Sequence, residues 1–277
     1  MLPKITIVTP SYNQGDYLEQ AICSVLSQGY SRLQYMVIDG GSTDCSRDVI
    51  DRYSSKLDYW ISERDQGQSD ALRRGFSRAT GDLLGWLNSD DFLHPGALRR
   101  LGEAYADNPG FIIAGNVSVF TEGRYQETRV IRQRHLNAHD MVAGWTGRAL
   151  YSQPGVFFPK DAYIQSGGID DSLNWGMDRD LMIRMLRSHP VAYVNEIVAY
   201  ARLHPDSKTC AQAGDQIAEA YRVYRRYWSD LPYPAFVCRL FSLLGLGRCA
   251  LGRLYHRDPR ALGPIGREMV NLALARI

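Results

Sequence analysis

Cysteine is scarce and scattered in this 277-residue chain: there are five, at positions 23, 45, 210, 238 and 249, and no Cys-x-x-Cys pair. That spacing argues against a zinc knuckle and against a disulfide framework. Long apolar runs are missing too; without about 18 uninterrupted apolar residues, no membrane-spanning helix is expected. Neither a Gly-x-x-x-x-Gly-Lys-Ser/Thr loop nor a Gly-x-Gly-x-x-Gly turn follows the first strand-like run, which disfavours an ATPase and a dinucleotide oxidoreductase. An excess of one charge is absent as well. The 32 Lys and Arg against 30 Asp and Glu leave +2, so the chain is neither an acidic disordered tail nor a polycation, and no nucleic-acid partner is expected. The N-terminal residues lack the basic start, apolar stretch and small-residue cleavage site of a signal peptide, which makes the reducing cytoplasm the expected compartment.

What is present is the balance of a globular protein with a sizeable core, 45% hydrophobic and 22% charged. Strand-like runs alternate with amphipathic helices from the start: Ile5 to Val8, Tyr35 to Ile38, Tyr59 to Ile61 and Leu83 to Leu87 are interleaved with helical spacing at 17–26, 46–53 and 69–79. That alternation predicts an α/β fold with a mostly parallel central sheet flanked by helices. After a helix over 95–106, the runs 112–120 and 125–132 read as an antiparallel pair around Glu122-Gly123, so the second half is expected to be mixed. A helix over 211–227 ends before the two prolines at 232 and 234, placing a boundary near 230. Residues 1–230 are read as the catalytic-type domain and 231–277 as a helical C-terminal appendage. Residues 221–277 hold ten Arg and no Lys against three acids, a net +7 that leaves −5 for the first 220.

In open parallel sheets, ligands sit beyond the carboxyl ends of the strands. The four predicted strands end in Thr9-Pro10-Ser11-Tyr12-Asn13, Asp39-Gly40-Gly41-Ser42-Thr43-Asp44, Glu63-Arg64-Asp65-Gln66-Gly67 and Asn88-Ser89-Asp90-Asp91. Each piece has a structural reading: Asp44 as a helix cap, Asn13 and Gly15 as a turn, Asp90-Asp91 as the start of a helix. Together they place acids and amides on one rim, where carboxylates repel unless a cation or a donor-rich ligand lies between them. A diphosphate held through a divalent metal needs only one or two protein carboxylates, and Asp90 and Asp91 are the candidates.

These residues resemble family 2 glycosyltransferases, inverting enzymes with the GT-A nucleotide-sugar fold, over roughly residues 4–208. The resemblance is carried by Ile-Val-Thr-Pro-Ser-Tyr-Asn-Gln at 7–14, Val-Ile-Asp-Gly-Gly-Ser-Thr-Asp at 37–44 and Asp-Gln-Gly-Gln-Ser-Asp-Ala-Leu at 65–72. Ala-Thr-Gly-Asp at 79–82, Asn-Ser-Asp-Asp at 88–91 and Trp-Gly-Met-Asp-Arg-Asp-Leu at 175–181 complete it. It implies a nucleotide pocket lined by Pro10, Ser11, Tyr12, Asn13 and Ser89, with Asp39 accepting a hydrogen bond from the base and Asp65 holding nucleotide or sugar. Asp90 matches the last acid of the family's Asp-x-Asp motif and would bind Mn2+ or Mg2+. The chain departs from the pattern at Asn88, where the family usually has Asp, with Asp91 able to make up the lost charge, and at Gly40, where many members carry a second acid.

Asp178 matches the family's general base, which an acceptor hydroxyl needs as it attacks the anomeric carbon. Asp180 is the runner-up, and a favourable charge at a helix N-terminus is the structural reading of Asp178. His204 resembles a late family position that completes the metal shell or bonds a leaving phosphate; a loop histidine is its structural reading. His135 and His139 lack a His-Glu-x-x-His context and read as surface residues; the segment 153–158 resembles the family's acceptor-side strand, with core as the structural reading of its aromatic residues. The resemblance thus implies metal-dependent, inverting transfer from a nucleotide-sugar, UDP-linked by preference, to a hydroxyl of a glycan or lipid-linked acceptor in cell-surface polysaccharide synthesis. A sugar nucleotidyltransferase and a non-catalytic nucleotide-sugar-binding protein are the alternatives. The appendage, with Phe236, Leu240, Leu243 and Leu244 among Arg239, Arg248 and Arg253, suits either an anionic membrane surface, which would place the protein peripherally at the inner face, or a packing layer or homodimer contact.

Overall fold

The computed structural model describes residues 1–144, 148–204, 207, 213–232 and 238. Its first half is the predicted alternation: β1 (Ile5–Ser11), α1 (Gly15–Leu26), β2 (Leu33–Asp39), α2 (Ser46–Tyr53), β3 (Tyr59–Ser62), α3 (Gln68–Phe76) and β4 (Leu83–Trp86). β1 pairs in parallel with β2 and β4, and β2 with β3, so β1 lies inside the sheet and all seven of its residues are buried. Alternating side chains serve two cores. Ile5, Ile7, Tyr35 and Val37 pack with Leu18, Ile22 and Ile50 of α1 and α2, while Val8, Met36 and Ile38 pack with Leu72 and Phe76 of α3. Each large aliphatic so buried contributes about 1.5–3 kcal/mol.

The second half is mixed, as its pattern predicts. It comprises β5 (Phe92–Leu93), α4 (Ala97–Asp107), β6 (Ile112–Thr121), β7 (Arg124–Ile131), α5 (Ala138–Val142), β8 (Val156–Pro159), α6 (Lys160–Gln165), α7 (Met177–Met185), β9 (Val191–Leu203) and α8 (Ala213–Arg226). The sheet order is β3-β2-β1-β4-β8-β6-β9-β5, with β7 on β6. β8 joins antiparallel to β4 and β6; β6 and β9 run parallel, and β6 and β7 form the expected hairpin at Gly123. Phe157 and Phe158 are core residues, and His135 is exposed.

Two boundaries differ from expectation for local reasons. The helix expected from 95 begins at Ala97, because Gly96 sits at φ +75 and breaks helical geometry there. Asp90-Asp91 begin no helix but lead into β5, which pairs with Ala199 and Tyr200 of β9. Past α8, Leu231 and Cys238 are buried in the core cluster that contains α7, so these two residues beyond 230 pack on the domain. The remainder of the proposed appendage, including Phe236, Leu240 and the arginines from 239 onward, lies outside the described residues. Among the described residues, no helix is long and apolar enough to cross a membrane.

Candidate active site

The rim begins where β1 and β2 end side by side, with Ser11 in register with Asp39. Asp39 is fully buried and serves its own loop: Oδ2 accepts from the N–H groups of Gly41 (3.2 Å) and Ser42 (2.9 Å) and from Ser62 Oγ (2.7 Å), and Oδ1 accepts from Ser42 Oγ (2.5 Å). The loop after β1 is stitched to the same segment. Asn13, at φ +50, donates its N–H to Ser42 Oγ (2.8 Å), and its Oδ1 accepts from the Thr43 N–H (2.9 Å). Asp44 accepts from the Gly15 N–H (2.8 Å) and the Ser46 N–H (2.9 Å), so one carboxylate caps the starts of α1 and α2. Its slight burial favours the neutral form, but the bonds from Ser46 and Gly15 outweigh that and hold its pKa below the ordinary value. The helix-cap reading of Asp44 is therefore correct.

This stitching leaves a small open rim. Tyr12 is 61% exposed, whereas Ser11 is buried and its Oγ has no partner among the described residues. Asp65, after β3, accepts from the Gly67 N–H (2.8 Å), and burial, opposed by that bond and reinforced by the Asp70 and Asp39 charges, raises its pKa. Its carboxylate crowds Gly40: a Cβ there would lie 2.9 Å from both Asp65 oxygens, so a side chain at 40 requires the Asp65 carboxylate to shift.

β4 delivers Asn88, Ser89, Asp90 and Asp91. Asn88 Oδ1 accepts from Gln68 Nε2 (2.8 Å), tying β4 to the start of α3, and Ser89 is buried. The two acids part ways. Asp90 Oδ2 faces His204 Nε2 at 3.2 Å, a pair joined across 114 residues, while Asp91 turns inward, accepting from the Arg202 N–H (3.0 Å) and Asn88 Nδ2 (3.4 Å). Burial, and then the charge of Asp90, push the Asp91 carboxyl well above the ordinary value. Its bond to the Arg202 N–H places Asp91 in the packing of β5 against β9. The His204 side chain is fully buried, rests on the Tyr17 ring with centroids 4.5 Å apart, and has an Nδ1 without a partner among the described residues. Arg202, whose guanidinium lies over the Tyr17 and Phe120 rings and bonds the Asp90 carbonyl (3.0 Å), Glu122 and Gln20, locks α1 and β5 onto β9.

Asp178 sits in the first turn of α7, half-buried. Burial, together with the charge of Asp178 and a hydrogen bond to it, keeps the Tyr151 hydroxyl well above its ordinary pKa and hence a protonated donor to that carboxylate. The loop that leads to Asp178 docks on α3: Ser69 Oγ donates to the Leu173 carbonyl, and Asn174 Oδ1 lies 3.5 Å from where a Cβ on Gly67 would be. Since Gln68 bonds Asn88, the start of α3 joins the Asp65 and Asp90 rim to the Asp178 loop. Asp180 is structural: it is buried against Arg184 (2.8 Å), Arg226 (3.2 Å) and Tyr227 (2.7 Å).

Sequence reasoning gave no role to Gln68, Arg202 or Glu219. It also gave no role to Gln153, whose Nε2 donates to the Trp86 carbonyl (2.9 Å) at the end of β4 and whose buried Oε1 has no partner among the described residues. Gln68 lies inside the 65–72 motif and Gln153 inside the 153–158 segment that resembles an acceptor-side strand. The others act across more than sixty residues or on backbone groups, which no local pattern announces.

Comparison with known proteins agrees with this architecture. The family model described as "Glycosyl transferase family 2" matches residues 6–167, more than half of the chain. An uncharacterized glycosyltransferase of Rickettsia typhi is 25% identical over 240 residues, covering 82% of this chain and 71% of that one. One from Mycobacterium tuberculosis is 29% identical over 185 residues, 66% and 68% of the two chains. Among solved structures, Staphylococcus aureus TarS 1–349 in complex with UDP-GlcNAc superposes with a TM-score of 0.67 at 12% identity, over 91% of this chain and 73% of that one. The mannosyltransferase PcManGT from Pyrobaculum calidifontis, in complex with GDP-Man and Mn2+, gives 0.63 at 15% identity, over 99% and 80%. The rim, the sheet order and the family match lead to one conclusion: the chain belongs to glycosyl transferase family 2 and is a glycosyltransferase built on the GT-A fold.

Proposed function

We propose that the chain transfers a sugar, with inversion, from a nucleoside diphosphate donor to a hydroxyl of a glycan or lipid-linked acceptor, with Asp178 as general base. The donor's base would lie against exposed Tyr12 over the Pro10 to Asn13 loop, with Asp39 holding the Gly40 to Ser42 loop beneath it and Asp65 facing the ribose or sugar side. UDP is the favoured nucleotide. The supporting observation is the docking of the Asp178 loop, through Ser69 and Gly67, on the helix whose Gln68 also holds the β4 rim.

The donor set suits a divalent ion shared with a diphosphate. Asp90 and His204 present a carboxylate oxygen and an imidazole nitrogen 3.2 Å apart, and no group of three or more metal-binding side chains gathers among the described residues. Such a pair leaves most of the coordination sphere to diphosphate oxygens and water. Mn2+ or Mg2+ there would stabilise the charge of the leaving diphosphate. Asp178 removes the acceptor proton as the new bond forms, and Tyr151, donating to Asp178, orients the carboxylate. The basic stretch beyond 230 suits a peripheral place at an anionic membrane surface in surface polysaccharide synthesis.

A thermal-shift screen of UDP, GDP and dTDP, each with and without Mn2+, tests the donor site. One nucleotide should stabilise the wild-type protein most, the gain should need Mn2+, and Asp90→Ala should lose it. Equal stabilisation of wild type and Asp90→Ala would refute the Asp90 assignment.

A further inference from the structure

We infer that Glu219, on α8, is a positioning residue for Asp178, an inference that rests on the reading of Asp178 as the base. The first N–H groups of a helix and of the turn before it find no acceptor within the helix. α7 has no capping side chain of its own, because the residue before it is Gly176. The acceptor comes instead from 43 to 45 residues away. Glu219 Oε1 accepts from the N–H groups of Trp175 (2.6 Å) and Gly176 (2.8 Å), and Oε2 accepts from that of Asn174 (3.1 Å). Glu219 is 2% exposed, and Arg222 Nη2, on a largely exposed side chain, approaches it only to 3.8 Å. Its charge is therefore met chiefly by three backbone dipoles at the positive end of α7.

The rest of α8 grips the same turn. A Cβ on Gly176 would meet Val223 at 3.0 Å, so glycine lets the helix approach. Arg179 donates to the Tyr224 hydroxyl (3.1 Å), and Arg226 with Tyr227 holds Asp180. The residues on both sides of Asp178 are thus fixed from α8, and Asn174, one of the clamped residues, abuts Gly67 beside the Asp65 rim. Both helices lie beyond the segment matched by the family model. Loosening this clamp lets the carboxylate drift from the acceptor hydroxyl while the nucleotide pocket stays whole, and misplacement of about 1 Å costs on the order of a hundredfold in rate.

The test compares wild type, Glu219→Ala, Glu219→Gln and Asp178→Asn as full chains. It follows nucleoside diphosphate release with water as the acceptor hydroxyl, from whichever of UDP-GlcNAc, GDP-mannose and dTDP-glucose the wild type hydrolyses fastest with Mn2+, and amide hydrogen exchange over 174–178. Glu219→Ala should lower kcat about a hundredfold with the donor KM within about twofold, and should speed exchange at 174–178. Glu219→Gln should recover part of both, since its one carbonyl oxygen can serve Trp175 and Gly176 but meets Asn174 with a second donor. Wild-type kcat in both Glu219 variants beside an inactive Asp178→Asn overturns the clamp and leaves the base standing. An active Asp178→Asn overturns the base, and then unchanged exchange at 174–178 in Glu219→Ala overturns the clamp as well. If Glu219→Ala does not fold, Glu219→Gln decides: kcat lost with KM kept supports the inference, and kcat and donor affinity lost together contradict it.

Discussion

The parallel half of the sheet and the mixed half build the site in opposite ways. From β1 to β3, three polar side chains of the rim bond their own or the neighbouring loop: Asp39 bonds Gly41, Ser42 and Ser62, Asn13 bonds Ser42 and Thr43, and Asp44 bonds Gly15 and Ser46. From β4 onward, the pairs that matter are brought together by tertiary folding: Asp90 with His204, Arg202 with Gln20 across 182 residues, and Glu219 with the turn before α7. The first half is a cradle made rigid by short-range bonds. The second half holds the residues proposed for the chemistry, and its geometry depends on how distant elements pack.

That difference predicts which substitutions harm stability and which harm turnover. The largest effect belongs to the mixed half: Asp178→Asn should lower transfer by about 10²- to 10⁴-fold, the range of a general base, with nucleotide binding by calorimetry unchanged. In the cradle, Asp39→Ala removes a fully buried carboxylate from two N–H groups and two hydroxyls of half-buried residues and should cost about 3 kcal/mol in denaturant unfolding. Gly40→Ala pushes a methyl group against the Asp65 carboxylate and should cost about 1–2 kcal/mol, with weaker nucleotide binding because Asp65 must move. The smallest effect is Asp44→Ala, about 1 kcal/mol or less, since the carboxylate is solvent-screened. The Asp44 pKa lies below its unfolded value of 3.8, so its stabilisation is present above that pH and fades as pH falls through the folded pKa. Asp44→Ala should therefore flatten that part of the stability profile in acid. If Asp39→Ala cost turnover and no stability, the division between cradle and chemistry would break.

The same division explains what the chain reveals before it folds. β1 to β4 were legible because each strand is a short, mostly apolar run followed by turn-forming residues, and the rim acids follow directly. Asp90 and Asp91 look equivalent side by side. Only the pairing of β5 with β9 separates them, sending Asp91 to the Arg202 N–H and leaving Asp90 to His204. Glu219 sits in an amphipathic helix like any exposed acid, and nothing near it in the chain signals that its partners are N–H groups at 174–176. Gly40 was visible as a departure from the family pattern, but the group that crowds it, the Asp65 carboxylate, lies on another strand end.

The most direct test is a crystal structure of Asp178→Asn with a sugar nucleotide and Mn2+. The account predicts the base beside Tyr12, the diphosphate and metal between Asp90 and His204, and the anomeric carbon open to residue 178. A nucleotide bound away from the ends of β1, β2 and β4, or an anomeric carbon facing away from α7, would contradict it.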